Sequence, residues 1–208
     1  MQVCDIVGNS GTGIDIQVST VEIKHTNIRD NTNSESVGGI RIQQSSNVTL
    51  SQAIVSGNSA NSFAGIYCDT QSNILIRNST IDNNSAENNG GGFSINKTST
   101  ATIINSTITN NSAENNGGGI LSYDASKITL SNVTISGNTA NNNGDGIYTS
   151  RWNHVKLINS IIWGSAAQDI YLDNTDNGRD TLSVLSLIHI SEPTRPRLIS
   201  YAVFCLKK

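Results

Sequence analysis

The sequence predicts an all-β fold: a right-handed, single-stranded parallel β-helix, about six to seven coils of 26–27 residues with uncapped ends. Two observations carry this expectation: an internal repeat of constant length, and a period-two apolar pattern inside each copy. The string NNSAENNGGG stands unchanged at residues 83–92 and 110–119, and a looser copy, GNTANNNGDG, at 137–146. The offset is 27 residues each time. Composition agrees. Among 208 residues only 14% are charged and 5% aromatic, with 18 Gly, 2 Pro and 1 Met. A helical bundle would draw on Ala, Leu, Glu and Lys instead.

Each element of the coil follows from the register. A Gly precedes an apolar residue at Gly13–Ile14, Gly39–Ile40, Gly65–Ile66, Gly92–Phe93, Gly119–Ile120 and Gly146–Ile147. Next comes an alternating apolar pair: Val21/Ile23, Val48/Leu50, Ile74/Ile76, Ala101/Ile103, Ile128/Leu130 and Val155/Leu157. A further apolar residue follows at Ile28, Val55, Ile81, Ile108, Ile135 and Ile162. Then come a polar slot (Asn31, Asn58, Asn84, Asn111, Asn138, Ser165) and a small one (Ala60, Ala86, Ala113, Ala140, Ala167). Alternation over such short runs predicts strands, about three per repeat, each too short for a helix. One copy cannot bury its apolar face alone. Stacked copies can, at the inter-strand spacing of about 4.8 Å. A second Asn column, Asn78, Asn105, Asn132 and Asn159, with His25 and Gln52 in the same slot, is expected at a corner. Asn tolerates left-handed backbone there, and a stack of amides is expected to satisfy its own buried polar groups. Asn78 and Asn132 also open Asn-x-Thr sequons, but their corner position favours the structural role.

The pattern defines residues 1–184 as the β-helix and sets 185–208 apart. Beyond Val184 the bore slot falls on His189, and the chain's prolines, Pro193 and Pro196, follow. The tail LSLIHISEPTRPRLISYAVFCLKK resembles translated sequencing adapter, with Pro196-Arg197-Leu198 in the place of an index, and is expected to be disordered or poorly packed. Without it Lys+Arg is 9 and Asp+Glu 15, a net charge of −6 instead of −3. The start, Ile6-Val7-Gly8-Asn9, matches the middle of a coil at Ile135-Ser136-Gly137-Asn138, so the chain is expected to open in mid-coil, with no signal peptide in this stretch.

Two motifs, Gly38-Gly39-Ile40 with its copies at Gly91 and Gly118, and Ile81-Asp82-Asn83-Asn84 with its copy at Ile108, resemble the polymorphic outer membrane protein repeat. They are also similar to the wider β-helix repeat of pectate-lyase-like proteins. The resemblance covers residues 6–184, with Ile or Val where the outer membrane motif favours Phe. It implies a bacterial protein that is secreted or exposed at the cell surface. Implied partners are extracellular polysaccharide or a host or cell surface.

Chemistry is sparse. A net charge of −3 disfavours nucleic acid as a partner. No apolar run approaches the ~20 residues of a membrane span. Cys4, Cys68 and Cys205 give neither an even disulfide framework nor a CxxC metal pair, and no cofactor or metal is implied. Cys68 takes a bore slot, and Asp145 replaces a corner Gly as a turn residue. Thr80, Thr107 and Thr134 form a column only three deep. One charged column stands out: Lys97, Asp124 and Arg151, spaced by 27, with Tyr123 and Trp152 beside it. It is an ion ladder on a solvated face, or a saccharide contact built from Asp124, Arg151 and Trp152. A single carboxylate makes no paired-acid site, so no catalytic residue is assigned. The leading expectation is a non-enzymatic structural or adhesive segment. The alternative is a piece of a polysaccharide-binding, lyase or hydrolase domain whose catalytic coils lie elsewhere.

Overall fold

A computed structural model describes residues 3–164, 168–175 and 178–190. All the named elements are strands, and all the strand pairings given are parallel. They form three sheets of 13, 7 and 5 strands, each joining equivalent segments of successive coils. The expected all-β solenoid is the fold. Each coil between Ile14 and Ala140 holds four strands, however, not about three. In one coil these are Ile66–Cys68, Asn73–Arg77, Thr80–Asp82 and Ser85–Ala86. The Ser-Ala strand spans only two residues, too few to show a period in sequence. The second and third strands share one sheet, and in the last full coil they fuse into a single strand, His154–Trp163.

The bore is built from the predicted columns. Ile40, Ile66, Phe93, Ile120 and Ile147 stack in register and are fully buried. So do Leu50, Ile76, Ile103, Leu130 and Leu157. Burying each large side chain stabilises the coil by about 1.5–3 kcal/mol. Cys68 occupies the same column as Ile42 and Ile95. Burial pushes its thiol up to about 12, so it behaves as a small apolar filler.

The Gly before each apolar column is required by a close approach. A Cβ on Gly65 would stand 2.2 Å from the Gly92 carbonyl oxygen, and one on Gly39 2.3 Å from that of Gly65. The same Cβ on Gly92 would meet the Asn111 side-chain nitrogen at 2.8 Å. That amide belongs to a ladder. Asn31, Asn58, Asn84, Asn111 and Asn138 are all completely buried. The Nδ2 of each of the first four donates to the Oδ1 of the next at 2.9–3.0 Å. The second Nδ2 hydrogen of Asn58, Asn84 and Asn111 donates to the carbonyl of Ile28, Val55 and Ile81.

The buried amide stack is therefore not the column the sequence suggested. Asn78, Asn105 and Asn132 are exposed, and one bond, Asn132 to Asn105 at 3.0 Å, links them. Their left-handed backbone is as expected, with φ of 51°, 49° and 55°. The difference is geometric: a left-handed corner turns its side chain outward, whereas the slot after the last bore residue points in.

The ladder of strands also runs past the point where the side-chain pattern breaks. Thr181–Ile190 pairs with His154–Trp163, placing Ile158 opposite Leu185 and Ile162 opposite His189. Backbone pairing needs no particular side chain. Residues 191–208, and the slots Ser165 and Ala167, lie outside the described residues.

Candidate functional site

A second kind of corner carries the charged column. After four successive strands of the seven-stranded sheet, Ile66–Cys68 to Ile147–Ser150, the chain turns through two consecutive left-handed residues. These are Thr70–Gln71, Lys97–Thr98, Asp124–Ala125 and Arg151–Trp152, with φ between 48° and 73°. Left-handed backbone costs a non-Gly residue about 1–2 kcal/mol. Rung bonds hold it in place here: Gln71 N–H donates to Lys97 O at 3.0 Å, Thr98 N–H to Asp124 O at 2.8 Å, and Ala125 N–H to Arg151 O at 2.8 Å. Under these turns runs a Ser column, Ser46, Ser72 and Ser99, whose hydroxyls accept backbone N–H bonds from the preceding coil. Asn153 and then Asp180 continue it.

The eight turn residues line an open groove of about 620 Å³ spanning four coils. Asp124 and Arg151 pair across adjacent coils at 3.4 Å, and Trp152 beside them is 60% exposed. The structure thus brings together all three residues singled out in the sequence. The ladder does not alternate along the whole column, however. Lys97 pairs with Asp69, one residue before the turn of the neighbouring coil, at 3.0 Å. Asp69 is buried, with 8% of its side chain exposed, so this bond is the better shielded of the two. Asp69 was missed by sequence reasoning. Its signal is the column one place ahead of Lys97, which runs Asp69, Asn96, Tyr123, Ser150.

Behind the groove lies an aromatic step. Tyr123 meets Tyr148 edge-on at 5.8 Å, and Tyr148 stacks on Tyr171 at 5.6 Å. The Tyr148 hydroxyl donates to Asp173 at 2.7 Å. Burial and this acceptor raise the phenol above its ordinary range. Hydrogen bonds from Thr175 and Tyr148 hold Asp173 below the ordinary carboxylate range despite partial burial. Asp145 is a buried tie rather than a simple turn residue. Its two oxygens accept the N–H groups of Ala140 at 2.7 Å and Gln168 at 3.1 Å. Among the described residues no group of three or more His, Cys, Asp or Glu is placed to hold a metal ion.

Parallel coils around an apolar bore define a β-helix protein. The chain belongs to the family described as right handed beta helix region, whose model matches residues 1–133 and 64–184. No curated protein and no solved structure matches the chain.

Proposed function

We propose that the chain is a length of rigid, non-catalytic β-helix from a secreted or cell-surface protein. It acts as a structural or adhesive segment and touches extracellular polysaccharide through the Asp124–Arg151–Trp152 groove. Localisation and the adhesive role rest on the resemblance to the polymorphic outer membrane protein repeat. One observation carries the contact surface: a Trp left 60% exposed on a rigid turn, beside an ion pair, in an open groove. An exposed indole is a flat apolar platform, and a paired carboxylate and guanidinium supply both acceptors and donors for hydroxyl groups. Asp69 and Asp124 are each held by a cation, an arrangement suited to binding rather than to proton transfer.

The test is retention on a panel of immobilised plant and bacterial polysaccharides. Trp152→Ala and Arg151→Ala are expected to weaken retention by about tenfold, or ~1.4 kcal/mol, with the far-ultraviolet spectrum unchanged. Wild-type retention by both variants removes the groove as the contact. Release of soluble sugar by the wild-type chain overturns the non-catalytic reading.

A further inference from the structure

The Asn-Gly steps of the repeated NNGGG string play no part in the groove. Asn89–Gly90 and Asn116–Gly117 stack on successive coils at the Gly-rich corner, with Gly90 and Gly117 at φ 75° and 70°. Glycine has no side chain to shield its amide nitrogen, so an Asn before it is the Asn best placed to cyclise onto the backbone. In the folded chain the groups needed for that reaction are tied to the next coil. Gly90 N–H donates to Asn116 O at 3.0 Å, and Gly117 N–H to Asn143 O at 3.1 Å. Asn89 Oδ1 accepts the backbone N–H and the Nδ2 of Asn116 at 3.2 and 3.3 Å. Asn116 Oδ1 accepts from Asn143 Nδ2 at 3.4 Å.

We propose that Asn89 and Asn116 are chemical modification sites, kept inert by these rungs and released when the corner opens. The Gly90 nitrogen attacks Asn89 Cγ. The new N–Cγ bond closes a five-membered imide, the Cγ–Nδ2 bond breaks, and the glycine amide proton leaves on ammonia. Water then adds to either imide carbonyl and opens the ring to aspartate or isoaspartate. Asn116 and Gly117 react in the same way. The two sites differ in consequence. Asn89 accepts both of its rung bonds at Oδ1, which a carboxylate does equally well. Asn116 also donates to Asn89, which a carboxylate cannot do, so two oxygens face each other there. Isoaspartate at Asn116 adds a backbone carbon and displaces the parallel bridge between Asn116 and Asn143.

The experiment incubates the chain in mildly alkaline buffer, folded and in urea, then maps the Asn89 and Asn116 peptides by mass spectrometry with isoaspartate detection. Both sites are expected to convert more than about tenfold faster in the unfolded chain, since reaction requires local opening. Equal rates in the two samples, or no conversion in either, overturns the proposal. Asn89→Asp is expected to melt as wild type, and Asn116→Asp to melt lower or fail to fold. Equal effects of the two overturn the stated asymmetry.

Discussion

At the residue scale, burial decides which polar groups matter. Asn84 is fully enclosed, donates to Asn111 and Val55, and accepts from Asn58. Asn84→Ala is expected to cost about 2–4 kcal/mol in urea unfolding, because it strands buried partners on both neighbouring coils. The exposed Asn105, one corner away, is expected to lose only about 1 kcal/mol on change to Ala, from its left-handed backbone at φ 49° rather than from stranded partners. Sequence showed both columns but not which was enclosed, because spacing alone does not distinguish an inward slot from an outward one. The Asp15–Arg41 pair adds a pH signature. The Arg41 guanidinium, hydrogen-bonded at 3.0 Å, holds the Asp15 carboxyl below its ordinary value. A depressed carboxyl contributes stability that is present above its unfolded value and lost as pH falls through the folded one. Asp15→Asn should therefore lower stability by about 0.5–1 kcal/mol at neutral pH. The two chains should converge only as the pH falls through the lowered folded value of Asp15, and urea midpoints across pH check this.

At the element scale, the corners rather than the strands set the tolerances. Gly65→Ala forces a Cβ against the Gly92 carbonyl at 2.2 Å, a backbone atom held in its own rung. It is expected to cost about 2–4 kcal/mol, whereas Gly11→Ala, with nothing within 4 Å, is expected to stay within about 0.5 kcal/mol. Thermal melts of the two variants separate these outcomes. Strands were legible in sequence wherever three or more residues alternate, as in Thr100–Ile104, and illegible where only Ser112–Ala113 carries the pairing. The groove was legible only in part. The 27-residue spacing aligned Asp124 with Arg151, but Lys97 finds its partner in the adjoining column, at Asp69. A shift of one place around a left-handed turn lies outside what a one-dimensional repeat encodes.

At the scale of the whole molecule, each coil contacts its neighbours and little else, so coils are exchangeable units. Deleting residues 93–119 joins Gly92 to Ile120 and leaves every column in register. That chain is expected to fold with an unchanged β-type spectrum, whereas deleting 93–106 brings bore and corner positions together and is expected to abolish folding. Circular dichroism of the two deletions decides. The amide ladder carries one more consequence. From Asn9 through Asn31, Asn58 and Asn84 to Asn111, each Nδ2 donates one hydrogen to the Asn Oδ1 of the next coil, so each Oδ1 from Asn31 to Asn138 faces the earlier coil. The side-chain dipoles therefore add along the axis instead of cancelling, and each amide polarises the next. The amide ladder has an electrical direction, negative toward its first coil and positive toward its last, and each added amide strengthens the bonds already made below it.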